Sequence, residues 1–176
     1  MTEEDIVEIE GVAEDALRKL APSELPALAQ LWHDGWMETH GPNVPEALLN
    51  LRTLEDFERR LETFFDDIRV TGPLGGPTGF CAIREDELYQ LFVAPEARGT
   101  GIASTLIRDG EARLAAGGVT EAWLDTVPEN ARARAFYERE GWQERGLESV
   151  AVDTSEGSFK MPLVVYTKQL GPPADD

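Results

Sequence analysis

The sequence predicts an α/β or α+β domain built on one sheet with helices on both faces. Three observations carry this. Two segments of helical period come early, two adjoining β-rich segments sit mid-chain, and strand, helix, strand, helix and strand follow. Regular doubly wound alternation does not fit, because no helix separates the central strands.

Residues 1–14 are acid-rich with little periodicity and are expected to form an extension, ahead of a single domain over 15–170 and a tail over 171–176. Leu17 to Leu20 fits a short first strand. Ser23, Glu24, Leu25 and Pro26 mark a helix start, with proline in the first turn, and Leu25, Leu28, Trp32 and Trp36 follow at helical spacing to about Thr39. Gly41, Pro42 and Pro45 break it. Thr53 with Asp56 resembles a capping box, and Leu54, Phe57, Leu61, Phe64 and Ile68 give the next helix one apolar face. Ile68 to Thr71 also fits a strand. The turn Gly72 to Pro77 leads to strands over Gly79–Arg84 and Leu88–Val93, joined by Glu85-Asp86. Ile102, Leu106, Gly110 and Leu114 line a helix ending at Ala116 before Gly117-Gly118. A strand over Val119–Val127, a short helix over 131–140 closed by Gly141, and a strand over Pro162–Gln169 complete the domain.

A chain of 176 residues that is 41% hydrophobic and 28% charged can bury a core without staples. One cysteine, Cys81, excludes an intrachain disulfide and a thiolate metal site. A net charge of -18 repels phosphate backbones and argues against a nucleic-acid partner; it would attract cationic substrates, or serve only to keep the chain in solution. No apolar run reaches the roughly 20 residues of a membrane span, and the acidic N-terminus has no signal pattern, so a cytoplasmic protein without a membrane partner is expected. His33 and His40 stand seven apart, which is not the i, i+4 spacing of paired ligands, and no metal is expected.

The chemistry-bearing segment runs from Leu88 to Ala103. A strand enters a proline-containing turn, and Arg98-Gly99-Thr100-Gly101 opens a helix at Ile102. Glycines allow close backbone approach, and the helix start adds unpaired N–H donors and partial positive charge. Together they suit a phosphate or pyrophosphate. A lone Gly-x-Gly reads first as an ordinary turn before a helix.

The run Val93-Ala-Pro95-Glu-Ala-Arg98-Gly99-Thr-Gly101-Ile102-Ala103, and later Asn130-Ala-Arg-Ala-Arg-Ala-Phe136-Tyr137-Glu-Arg-Glu-Gly141-Trp142, resemble the GCN5-related N-acetyltransferase (GNAT) family in order and separation. The resemblance covers about residues 15–170 and is specific over 88–142. It implies an acyl-CoA N-acyltransferase fold with a mixed, mostly antiparallel central sheet, and acetyl-CoA as acyl donor. The strand before the turn would splay from its neighbour through a bulge, leaving backbone groups of Leu91, Phe92 and Val93 for the pantetheine arm. Amides of Arg98, Gly99, Thr100, Gly101, Ile102 and Ala103 would hold the pyrophosphate. Asn130 would bond the pantetheine or its neighbourhood, and Tyr137 would protonate the leaving thiolate. On its own, Tyr137 is either that acid, with an O–H to give, or a core aromatic beside Phe136.

Direct transfer in a ternary complex needs an unprotonated amine and a donor for the developing oxyanion, for which a strand amide near Leu91 serves. Glu87 shares strand parity with Tyr89, Leu91 and Val93 and is the candidate base. Some histone-acetylating family members carry a glutamate at this offset. The alternative is a solvated turn residue, and Asp125 is a weaker candidate. A covalent route through Cys81 lacks a neighbouring histidine. In the family the acceptor pocket comes from the first helices and final strands, which implies Trp36 as an aromatic wall and Asp34 as partner of a cationic amine. The tryptophans otherwise pack the helix on the sheet. The acceptor is a small-molecule or peptide amine, and a homodimer fits family habit. Two rival readings remain. A noncatalytic acyl-CoA-binding module is one. A dinucleotide-binding domain is the other, suggested by Gly99, Gly101 and Glu121 but opposed by Ser104 at the third glycine position.

Overall fold

Thr53 starts a helix because its hydroxyl oxygen accepts the Asp56 N–H at 3.1 Å, closing an orphan donor of the first turn. The structure, a computed structural model, describes residues 17–154 and 156–171. The expected acidic extension, the start of the expected domain at 15 and the tail from 172 lie outside the described residues. Helices are α1 (Leu25–Thr39), α2 (Glu46–Leu49), α3 (Leu54–Thr63), α4 (Ile102–Ala116) and α5 (Ala131–Arg139). Strands are β1 (Arg18–Lys19), β2 (Ile68–Thr71), β3 (Gly79–Arg84), β4 (Glu87–Val93), β5 (Glu121–Thr126), β6 (Gln143–Thr154) and β7 (Gly157–Gln169).

Ahead of α1, Pro22–Glu24 form a 3-10 turn rather than the first helical turn. The buried Glu24 carboxylate accepts from Arg18 at 2.7 Å through both oxygens, and from the Ala21 and Gly75 N–H groups, each at 3.0 Å. The Arg18 bonds hold its pKa down at about 2. One side chain thus fastens β1, the start of α1 and the turn after β2.

Among the described residues the strands form one sheet in the order β1-β2-β3-β4-β5-β7-β6, with β4–β5 the parallel pair and the others antiparallel. This is the mixed, mostly antiparallel sheet expected. One face carries Ile68, Val70, Phe80 and Ala82 under α1 and α3. The other carries Cys81, Leu88, Ala122, Leu124, Val164 and Tyr166 under α4, with Tyr137 of α5.

The structure departs from the sequence expectations at four places. The helix from Thr53 ends at Thr63, because Phe65–Asp67 turn tightly and Ile68 pairs with Ala82 in the sheet. Its helical spacing from Phe64 is incidental. Residues 143–154, assigned no element from sequence, form a long edge strand, and β7 begins at Gly157 rather than Pro162. The four residues of α2 also went unassigned.

Gly110 sits where α4 crosses β3 and β4. A Cβ there would lie 2.9 Å from Cys81 Sγ and 3.0 Å from Leu88 Cδ1. Gly110→Val is therefore expected to lower stability by about 1–3 kcal/mol through overpacking, a fall in Tm of about 3–10 °C by calorimetry. An unchanged Tm would show that this contact yields freely.

Candidate active site

β4 pairs with β5 at Glu87↔Trp123, and Leu88 to Val93 run on without a β5 partner. On its other side β4 follows β3 with a register shift between Ala82 and Ile83, so that Gln90 opposes Ala82 while Leu88 opposes Ile83. Tyr89 is the extra residue of this bulge, and bulges bend and twist their strand. The two strands part, and a cavity of about 400 Å³ opens in the gap. Its lining reaches from the turn at Arg98 and Gly99, past Glu87 and Tyr137, to Trp36 and Arg52.

The bulge corrects the parity argument. Leu91, opposite Cys81, packs with Val93 against the α4 core. Tyr89 and Phe92 pack against the α1 core, and Glu87 bonds Arg84, which stacks on Tyr89. Glu87 therefore does not share a face with Leu91 and Val93. All still line one cavity, because the parted strands join the two faces.

At the turn, Gly99 (φ +78°) and Gly101 (φ +87°) adopt left-handed conformations, and a Cβ on either would meet nothing within 4 Å. Backbone N–H groups there, at the start of α4, border open space. The residues fit a diphosphate. The side chains take other tasks. Arg98 bonds Glu38 of α1 at 3.1 and 3.3 Å, tying the turn to the helix, and it draws that carboxyl below its ordinary range. Thr100 Oγ1 donates to the Ala97 carbonyl at 2.5 Å, and Ile102 is core. Ala103 lines the cavity, as do Arg132 and Arg139 of α5, which the sequence reading passed over. Asn130 lines it too, while its Oδ1 caps α5 by accepting the Ala133 N–H at 3.2 Å.

Tyr137 is buried beside Phe136 and Tyr166, at ring separations of 5.7 and 5.9 Å. Burial, then the Asp125 charge, pushes its hydroxyl well above the ordinary tyrosine range. Glu87 is 6% exposed. Burial, reinforced by Asp125 and opposed by Arg84 at 3.2 Å, raises its carboxyl to about 8. Burial lifts Asp125 to about 6, against Arg84. Cys81 is fully buried and pushed up to about 12, so its thiol stays protonated.

Of the two residues expected to meet the acceptor, Trp36 is buried and lines the cavity. Asp34 does not line it. It is exposed on the outer side of α1, held by Gln30 Nε2 at 2.8 Å and His33 Nδ1 at 3.0 Å, because it falls two residues off the Trp32–Trp36 stripe. The far wall instead holds Arg52, Arg60 and Arg84 with Tyr89 and Asp153. Burial works against the Asp153 charge, yet the Arg84 guanidinium keeps its carboxyl below the ordinary range. A surface of -18 predicts attraction for cations, but this wall presents guanidinium groups. The available signal was Arg60 inside the apolar stripe of Phe57, Leu61 and Phe64.

A parted parallel strand pair, with a glycine turn at one end and buried carboxylates at the junction, frames one elongated cleft. The profile of the acetyltransferase (GNAT) family matches residues 25–142. A GCN5-related N-acetyltransferase from Rhodopseudomonas palustris superposes with a TM-score of 0.68 at 20% identity, over 88% of this chain and 95% of that one. The PaiA N-acetyltransferase of Thermoplasma acidophilum, solved with coenzyme A, gives 0.59 at 20% identity, over 88% and 98%. The ribosomal-protein-S18-alanine N-acetyltransferase of Escherichia coli gives 0.62 at 18% identity, over 92% and 97%. No protein of curated function matches the chain significantly in sequence. The chain belongs to the acetyltransferase (GNAT) family. Among the described residues no helix is long and apolar enough to cross a membrane.

Proposed function

We infer that the protein moves an acetyl group from acetyl-CoA directly to an amine, with both substrates in the cleft together. The observation that carries this is the cavity through the parted β4 and β5, with open glycine backbone at one end and Glu87 and Tyr137 along its course. The solved PaiA complex with coenzyme A supports the choice of donor.

In this reading the amides of Arg98 to Ala103 hold the diphosphate, and free main-chain groups of Leu91 to Val93 pair with the pantetheine arm. A β4 amide near Leu91 donates to the carbonyl oxygen as negative charge develops there. Glu87 takes the proton that the amine gives up as the C–N bond forms. The Tyr137 O–H donates to sulfur as the C–S bond breaks, so that a thiol and an amide leave. The product amide has lost the amine's charge and nucleophilicity, which makes transfer directional.

Titration calorimetry with acetyl-CoA tests the donor site. Saturable binding is expected, with one molecule per chain and a Kd between about 1 µM and 1 mM, and amines should then release free thiol. No saturable heat from folded protein would sink the reading.

A further inference from the structure

Arg52 lies in the loop between α2 and α3, is 3% exposed and stacks over Trp36 at 5.3 Å. Its Nη1 donates to Asp56 at 3.2 Å and to the Asp153 carbonyl at 2.6 Å. Its Nε is buried without an acceptor. Arg60, one helical turn beyond Asp56, stacks over Trp32 at 4.4 Å and donates from Nη2 to the Tyr89 hydroxyl at 3.1 Å. Its Nε and Nη1 have no hydrogen-bond acceptor, and the buried Nδ1 of His40, another lining residue, has no hydrogen-bond partner. Buried N–H donors without acceptors are costly, and guanidinium groups have no acceptor role to offer one another.

The charges are also uneven. Arg84 engages Asp153 and Glu87, while Arg52 and Arg60 share the single carboxylate of Asp56. The Arg52 cation is disfavoured by burial and then by Arg60, down to about 10 in spite of Asp56. Arg52 and Arg60 between them are short of one paired carboxylate and of hydrogen-bond acceptors.

We propose that the acceptor is an amine that also carries a carboxylate, with the carboxylate held by Arg52 and the amine directed to Glu87. The inference rests on the acetyltransferase reading of the same cleft. Arg52 and Glu87 are joined through two residues: Arg52 bonds the Asp153 carbonyl, Arg84 pairs with the Asp153 carboxylate, and Arg84 bonds Glu87. The two ends of one small substrate therefore meet groups already set in register. A planar guanidinium backed by Trp36 offers its edge to a planar carboxylate. One surplus charge matches a monoanion better than a phosphate monoester.

The test begins with the unaltered protein. Protein loaded with coenzyme A is titrated with N-acetyl amino acids, the matching N-acetyl amino acid amides and N-acetyl-O-phosphoethanolamine. At least one carboxylate should bind about 10-fold or more tightly than its amide and than the phosphate. Arg52→Gln should reduce that ratio below about threefold, the loss expected on removing a charge-assisted bond. Equal binding of acid and amide, preference for the phosphate, or no binding by any carboxylate overturns the proposal. In parallel, the free amino acids and amides are offered with acetyl-CoA. Carboxylate preference in binding without transfer keeps this inference and overturns the acetyltransferase reading. Transfer without carboxylate preference does the reverse.

Discussion

Tyr137→Phe should lower kcat by about 10²–10⁴-fold, the range for a lost general acid, while the Kd for acetyl-CoA stays within about threefold of wild type. The three tyrosines of the chain differ in what their hydroxyls already do. Tyr89 OH donates to Asp153 and accepts from Arg60, each at 3.1 Å. Tyr166 OH donates to Glu138 at 2.8 Å and accepts from Arg134 at 3.1 Å. The Tyr137 hydroxyl has no such partner among the described residues, yet its ring lines the cavity. Its raised pKa keeps it an O–H donor across the working range. Phenylalanine keeps the ring and its packing on Phe136 and Tyr166, so fold and donor binding should survive. Steady-state kinetics beside calorimetry separates the two effects. A kcat within about threefold of wild type would remove Tyr137 from the chemistry.

What was legible in the sequence follows from how each part is encoded. The turn before α4 writes its needs locally, as glycines at φ > 0 followed by a helix start, and α4 runs over Ile102–Ala116 as its apolar spacing predicts. The Asn130 cap and Tyr137 sit on one short helix, again local. Beyond Trp36, the arginine-bearing wall has no such record. Trp36, Arg52, Arg60, Arg84 and Asp153 come from α1, a loop, α3, β3 and β6, and only the sheet register brings them together. β6 itself was invisible, because an edge strand reading Gln143-Glu144-Arg145-Gly146 is charged where a central strand would be apolar. The Tyr89 bulge was invisible as well. Strict alternation put Glu87 on the face of Leu91, and one extra residue moved it to the face of Arg84.

That displacement shapes the second large effect. Glu87→Gln should lower kcat/KM by about 10²–10⁴-fold at pH 8, the contribution of a positioned base. A base acts only when ionised. With its pKa raised to about 8, Glu87 is mostly protonated at pH 7, so wild-type kcat/KM should climb with pH and level off above about 8. In the glutamine variant that limb should vanish, leaving only the limb of the acceptor amine itself. Stability provides a second readout with its sign fixed by the same shift. Between the unfolded value of 4.5 and about 8 the folded chain holds a proton that the unfolded chain has lost, so this group weakens the fold as pH rises through that window. Glu87→Gln removes the weakening, and its Tm should fall less than that of wild type between pH 5 and about 9. A pH limb near 8 that persists in the variant would assign the base elsewhere, with Asp125, raised to about 6 on the facing strand, the next carboxylate in reach of the junction.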